Sequence, residues 1–417
     1  EHAYSGELWE KAVPYQLRSA RRAMRRWANH EVIRIVERGL ETLSHLPDSA
    51  GKWRAAIDFR LAAVIALEPL GRHRRIAAVL SEASTLTEVA DDKRRTAGVN
   101  CQLAVATYGK LNTAKDNAIL IPTWYSGTSK IMADVYTGAG RALDPNKYFI
   151  IIVNQIGNGL STSPHNTPLP GGMGQFPKVR ISDDVRAQYK LLTKNFGIQR
   201  LALVTGGSMG AQQTYEWAVR FPNMVARAAP IAGTAQNTSH DFLFTETLVE
   251  AITSDPAWNR GFYRRSDDVR EGLLRHAKMW GVMGWSTEFF AQNRPQQLGF
   301  SSLEDFAINF MGGYFGPMDP NNLLAMAWKW QRGDVARNTG GDLSAALRRI
   351  KAKTFVMPIS HDMFFPPADC EKECKMIAGA EFRPISTIDG HLGLFGTDAG
   401  FSAQIDRHLS DLLNTPA

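Results

Sequence analysis

The stretch Gly206-Gly207-Ser208-Met209-Gly210 sets one hydroxyl among glycines, where the apolar run LALVT (201–205) gives way to the helix-like AQQTYEWA (211–218). A G-x-S-x-G turn between strand and helix holds its serine in a strained backbone and lifts Oγ above the sheet at a helix N-terminus. The N–H of the next residue, Met209, then points at a developing oxyanion. A serine hydroxyl of ordinary pKa is a weak nucleophile. It needs a base, and the base needs an orienting carboxylate. Both are present downstream in the order Ser, Asp, His. TFVMPIS (354–360) runs into HDMFFPP, which sets Asp362 just past a predicted strand end with His361 beside it. EFRPISTI (381–388) runs into DGHLGLFG, which sets His391 in a glycine-flanked loop before the last helix. Loops at the carboxyl ends of strands are where open sheets keep their chemistry. The pattern points to Ser208 as nucleophile, His391 as base and Asp362 as acid. Asp389 reads as a turn former. A second oxyanion donor is expected from PTWYSG (122–127), through the backbone N–H of Tyr125, with Trp124 as neighbour.

These residues require a particular scaffold. NAILIPTWYSG (117–127), KYFIIIVNQIG (147–157), LALVTGGSMG (201–210), RAAPIAGT (227–234), TFVMPIS and EFRPISTI are short apolar runs separated by amphipathic stretches. Near-continuous Ile/Val/Leu runs of this kind predict a mostly parallel sheet with helices on both faces, an α/β fold. Between about 240 and 340 the alternation stops, and a helix-like insert rich in Trp, Met and Phe predicts a lid. Trp280, Met283, Trp285, Phe289, Phe290, Phe310, Met311, Tyr314 and Phe315 either form the lid core or line an apolar pocket, and Trp285 is a candidate substrate contact. In GNGLSTSPHNT (157–167), Asn158, Ser161, Ser163 and His165 follow another strand and are candidate polar contacts or plain loop residues.

Residues 1–95 have a different texture. Val32, Ile33, Val36, Leu40, Leu43 and Leu46 recur mostly at spacings of three and four, one buried helical stripe, and Pro47 ends it. Two more helical patterns follow, WRAAIDFRLAAVIALEPLG and RRIAAVLSEASTLTEVADD. The division expected is a helical segment over 1–95 and an α/β domain over 96–417. The segment from Trp9 resembles a tetratricopeptide repeat pair through Trp9, Ala12, Tyr15, Ala20 and Ala28. Stacked repeats bind partners or one another, so residues 1–95 are candidates for a protein partner or self-association, and an oligomer is one outcome.

Composition narrows the classes. The net charge of +7 is mild, and RRAMRR (21–26) reads as a solvated helix face, so no nucleic-acid partner is expected. No run of about 18 apolar residues occurs, so no membrane span is expected. The first 30 residues are polar and arginine-rich and do not read as a secretory leader, although a chain that starts at Glu1 is compatible with a trimmed one. Three cysteines, Cys101, Cys370 and Cys374, suit a reducing cytoplasm and give no zinc pattern, so no metal is expected. GGMGQF (171–176) lacks the lysine of a phosphate loop and reads as a turn, and no dinucleotide fingerprint follows a strand.

From about 98 to 415 the chain resembles the homoserine O-acetyltransferase group of the α/β-hydrolases. The resemblance rests on ATYGKLNTAKDNAIL (106–120), FPKVRISDDVRAQYKLLTKNFGI (176–198), GGSMGAQQTYEWAVRFPNMV (206–225), SHDMFFPP and DGHLGLF. It implies an α/β-hydrolase fold with a helical lid, a ping-pong acyl-enzyme mechanism, and the roles of nucleophile, acid and base for Ser208, Asp362 and His391. The departures concern substrate. Thr123-Trp124-Tyr125-Ser126-Gly127 replaces the group's His-Ala-Leu-Thr-Gly loop, and Gly390-His391-Leu392 its Gly-His-Asp. In IAGTAQNTSHDFLF, Gln236 stands where the group has an arginine for the amino acid's carboxylate. Glutamine cannot supply that charged fork. This favours hydrolysis of a small or moderately apolar ester, with no cofactor, over transfer from acyl-CoA as cosubstrate to an alcohol. A scaffold with a silenced site is the remaining alternative.

Overall fold

The computed structural model describes residues 8–26, 28–67, 69–70, 72–90, 101–167 and 171–416. The chain divides into two compact units, one drawn from Glu1–Gln102 with Thr162–Pro177, the other from Leu103–Ser161 with Lys178–Ala417. The boundary expected near residue 95 lies outside the described residues. Helices of eight residues or more are numbered below in chain order.

The first unit holds α1 (Trp9–Arg25), α2 (Asn29–Ser44), α3 (Ala50–Leu67) and α4 (His73–Ala90), each packed on the next. Its core is the stripe predicted from spacing, with Val32, Val36 and Leu43 of α2 meeting Ala55, Phe59 and Ala62 of α3. The segment 162–177 also belongs here, which places Ser163 and His165 with the helices rather than with the sheet. It is tied to α1 by the Gln175 amide, which donates to the Met24 carbonyl at 3.1 Å.

The second unit is built on a seven-stranded sheet of order β1-β3-β2-β4-β5-β6-β7. The strands are β1 (Val105–Tyr108), β2 (Ala118–Pro122), β3 (Phe149–Val153), β4 (Leu203–Gly207), β5 (Arg227–Ile231), β6 (Lys353–Val356) and β7 (Glu381–Phe382). All neighbours pair in parallel except β1, which runs antiparallel to β3 at the edge. Every residue of β2, β3 and β4 is buried. Burial on both faces removes the alternation of an exposed strand, which is why these strands read as continuous apolar runs. β1 is partly exposed and carries no such run, so its VATY sequence gave no strand signal.

Helices cover the sheet: α5 (Ser129–Tyr136), α6 (Ile181–Lys190), α7 (Met209–Arg220), α11 (Pro367–Cys374) and α12 (Ala399–Leu413). Between β5 and β6 the described chain is helical, through α8 (Ser239–Thr253), α9 (Arg270–Met283), α10 (Pro320–Trp330) and shorter turns. Among the described residues no helix is long and apolar enough to cross a membrane.

The helix that follows β4 is buried from Met209 to Val219, and Gly210 lets it approach the sheet. A Cβ at Gly210 would lie 2.6 Å from the carbonyl oxygen of Pro122 at the end of β2. Backbone cannot yield to such a contact as a flexible side chain can. Gly210→Ala is therefore expected to cost about 1–3 kcal/mol of stability, the usual range for overpacking. Urea denaturation followed by circular dichroism measures this, and an unchanged midpoint would contradict the close approach.

Candidate active site

Three strand ends bring the predicted residues together. Beyond β4 the backbone turns at Ser208 with φ 55° and ψ −123°. A non-glycine residue there costs about 1–3 kcal/mol and persists only when its surroundings impose it. Here the Ser208 N–H donates to Ile231 O of β5 at 2.9 Å, while Ala211 N–H donates to Ser208 O at 2.8 Å. Gly206 leaves room for the turn, because a Cβ on it would meet Gly210 backbone at 2.9 Å.

Past β6, Asp362 is buried, and each carboxylate oxygen has its own task. Oδ1 accepts from the N–H groups of Phe364 at 2.8 Å and Phe365 at 3.0 Å. Oδ2 faces His391 Nδ1 at 2.7 Å. A carboxylate at Nδ1 fixes the proton there and leaves Nε2 as an acceptor. Nε2 lies 3.0 Å from Ser208 Oγ. The imidazole is packed by Phe364 and Phe365, with Trp280 further out. Its loop is held by Asp389, which accepts from Thr397 Oγ1 at 2.6 Å and from Arg294 Nε at 3.4 Å. Ser286 Oγ adds a hydrogen bond to Ile388 O. His361, in contrast, is exposed and turned toward Thr387 O at 3.0 Å.

The loop after β2 faces the same point. Met209 opens α7, so its N–H is one of the unsatisfied donors of a helix first turn. Among the described backbone bonds, none takes up the N–H of Tyr125. Thr123 anchors the loop: its N–H donates to Val153 O at 3.2 Å, and its carbonyl accepts from the Gln155 amide at 2.5 Å. Behind Gln155 lies a buried ion pair that sequence reading missed. Lys329 of α10 binds Asp184 of α6, donates to Ile156 O at 2.7 Å and lies 3.4 Å from Gln155 Oε1. Asp184 Oδ1 accepts from Ile156 N at 2.7 Å. Burial pushes the Asp184 carboxyl up, and the Lys329 ammonium opposes that. Removing one partner of such a pair leaves an uncompensated buried charge, so the pair pins residues 155–156 and, through Gln155, Thr123.

Tyr125 is buried, and its hydroxyl donates to Leu323 O at 3.0 Å and lies 3.1 Å from His276 Nε2. Burial lowers His276 to about 3, so its imidazole is neutral. A small cavity of about 20 Å³ is lined by Trp124, Ser208, Trp280, Phe315, His391 and Phe395, with Tyr125, Leu392 and Leu394 among its other walls.

Not every expected contact reaches it. Trp285 is fully buried in the insert, stacked on Phe289 with its Nε1 toward Met311 Sδ, because its large apolar surface is spent on lid packing. Asn158 donates to Gly127 O at 3.1 Å and caps its own turn at Leu160 N. Gln236 donates to Asp334 Oδ1 at 3.1 Å. None of the three lines the cavity at Ser208. Trp124, the neighbour of Tyr125 in the loop after β2, does line it. Among the described residues no cluster of His, Cys, Asp and Glu is placed to hold a metal ion.

A strained serine above a parallel sheet, with histidine and aspartate following in chain order, defines a class before any relative is considered. The family model described as alpha/beta hydrolase fold matches residues 119–386, and the chain belongs to that family. Similar proteins sharpen this. The ethyl acetate hydrolase of Pseudomonas veronii is 65% identical over 317 residues, covering 76% of this chain and 91% of that protein. A probable esterase of Corynebacterium glutamicum is 57% identical with the same coverage. The homoserine O-acetyltransferase of Leptospira biflexa is 30% identical over 311 residues, covering 69% of this chain and 81% of that protein. The crystal structure of the acetyl esterase MekB superposes with a TM-score of 0.75 at 65% identity, covering 76% of this chain and 91% of that one.

Asp241, at the start of α8, also escaped sequence reading. It is buried, and burial pushes its carboxyl up to about 8, with the charge of Asp362 acting in the same direction and Thr238 hydrogen bonds opposing. The folded state thus holds a proton that the unfolded state, with the ordinary carboxyl value of 3.8, releases. Stability from this group is complete below the unfolded value and is lost as pH rises through about 8. Asp241→Asn should remove that slope. Thermal melts between pH 4 and 9 are expected to show the wild type losing stability against the variant as pH rises, and parallel curves would contradict the protonated carboxyl.

Proposed function

We propose that Ser208, His391 and Asp362 are the catalytic triad of a serine hydrolase that cleaves short-chain carboxylic esters, acetyl esters first. The observation that carries this reading is the relay from Asp362 Oδ2 through His391 to Ser208 Oγ, with links of 2.7 and 3.0 Å, opening on a cavity of about 20 Å³. A water-sized sphere needs about 10–15 Å³ of such space. An acyl group of two carbons fits these aromatic walls with small adjustments, and a long chain requires Phe315 or Phe395 to move. The names of the ethyl acetate hydrolase and the acetyl esterase among its relatives agree with a short acyl group.

The reaction follows from the geometry. His391 Nε2 takes the proton of Ser208 Oγ as the oxygen attacks the ester carbonyl carbon. The carbonyl oxygen becomes an oxyanion between the N–H groups of Tyr125 and Met209. The C–O bond to the alcohol breaks, and His391 gives its proton to the departing alkoxide. Water then attacks the acyl-enzyme, His391 takes its proton, and the acid leaves as Ser208 recovers its hydrogen. Asp362 keeps the imidazole oriented and stabilises its charged form throughout. Water is the acceptor because no charged fork for an amino-acid carboxylate stands at position 236, where Gln236 is engaged with Asp334. Ester hydrolysis is the activity of the domain from about 96 onward, with 240–340 as its lid. We assign the helices of 1–95 to partner binding or self-association, and a chain with only three cysteines suits a cytoplasmic location.

Assays on p-nitrophenyl esters test this. A burst of p-nitrophenol is expected with the acetyl ester, and kcat/KM should fall steeply from acetyl to hexanoyl. Ser208→Ala should lower kcat on the order of 10⁴-fold or more. Added alcohols should leave acid as the main product. Full activity in Ser208→Ala, or a preference for the hexanoyl ester, would contradict the proposal.

A further inference from the structure

A second cavity, of about 270 Å³, lies among α6, α7 and residues 332–338. Five guanidinium groups line it, from Arg180, Arg186, Arg220, Arg332 and Arg337, against three carboxylates, from Asp183, Glu216 and Asp334. Two arginines are spent internally: Arg220 pairs with Glu216 at 2.6 Å and Arg186 with Asp183 at 3.7 Å. Asp334 Oδ1 already accepts from Gln236 and from Ala336 N. Among the described residues Arg180, Arg332 and Arg337 form no ion pair with a carboxylate. Arg180 and Arg332 instead lie over the Trp328 ring at 5.3 and 4.4 Å, joined there by Lys178 at 5.7 Å. Stacking fixes the guanidinium planes without neutralising them. Burial and then the nearby Arg337 and Arg332 push Arg180 down from the ordinary arginine value, with the charges of Asp183 and Asp334 opposing.

Two further features converge on the same cavity. The first turn of α6 lines it through Arg180, Ile181, Ser182 and Asp183, and no described backbone bond takes up the N–H groups of Ile181 and Ser182. Gln212, 1% exposed, also lines it, and its side-chain oxygen is without a partner among the described residues. Guanidinium forks and helix N-terminal N–H groups match the oxygens of a phosphoryl group, and the Gln212 oxygen can accept from its hydroxyl. We propose that this cavity binds a small phosphomonoester or free phosphate, with the phosphoryl group between Arg180, Arg332 and Arg337 at the start of α6. Ester hydrolysis does not use any of these residues. The volume exceeds that of a bare phosphate, so an organic phosphomonoester fills it better.

Isothermal titration of the full chain with inorganic phosphate and with phenyl phosphate, at ionic strength fixed with chloride, tests the site. Saturable one-to-one binding is expected for both probes. Tighter binding of phenyl phosphate assigns the site to phosphomonoesters, and tighter binding of inorganic phosphate assigns it to the free ion. Arg332→Gln combined with Arg180→Gln should weaken binding at least tenfold. The exposed Arg337→Glu, which leaves the packed interior untouched, should do the same while p-nitrophenyl acetate turnover stays at the wild-type rate. Absence of saturable binding by either probe, or binding that persists unchanged in Arg337→Glu, would overturn the proposal.

Discussion

At the turn after β4, the left-handed backbone of Ser208 and the packing of α7 against the sheet are one constraint. The helix starts immediately after the serine, and no side chain fits between Gly210 and the Pro122 carbonyl or between Gly206 and the Gly210 backbone. The contact gathers the remaining parts of the site. It sets Met209 N–H at the mouth of α7, brings the end of β2 and its Thr123–Tyr125 loop alongside, and turns Oγ toward the ends of β6 and β7. Asp362 and His391 then need only local turns past their strands to complete the relay.

The surrounding polar groups divide by charge state. Asp362 is met by two backbone N–H groups and an imidazole, a shell suited to a carboxylate. Asp241, pushed up first by burial and also by the charge of Asp362, is shifted toward the neutral acid. The buried Lys329–Asp184 pair works at longer range. It leaves the chemistry untouched and fixes the Gln155–Thr123 bridge that anchors the loop carrying Tyr125. Trp280 and Phe315 of the insert join Trp124 and Phe395 around the small cavity at Ser208.

What could be read from sequence was what local pattern encodes. The G-x-S-x-G turn, the order of Ser208, Asp362 and His391, and six apolar runs each occupy a few consecutive residues, and six of the seven strands coincide with those runs. The edge strand β1 was missed because an exposed antiparallel strand has no continuous apolar run. The Lys329–Asp184 pair joins positions 145 apart, and neither residue carries a local cue. Asp241 resembles any helix-start aspartate, and only burial beside Asp362 sets it apart. The substrate contacts fared worst. Asn158 was named for following a strand, Gln236 for its place in the resemblance and Trp285 for the apolar insert, and side-chain direction turns each to a structural partner. Residues 162–177 fall inside the continuous range expected for the sheet domain, 96–417, and belong to the helical unit, a return of the chain that no local pattern marks.

The central claim is that the acyl group passes through Ser208 on its way to water. It is tested most directly by quenching the enzyme in acid during turnover of ethyl acetate and mapping the peptides by mass spectrometry. The account predicts a single acetyl group per chain, on the peptide carrying Ser208, which disappears once the ester is consumed. Sustained turnover with Ser208 unmodified throughout, or an acetyl group that builds and decays on another residue, would contradict it.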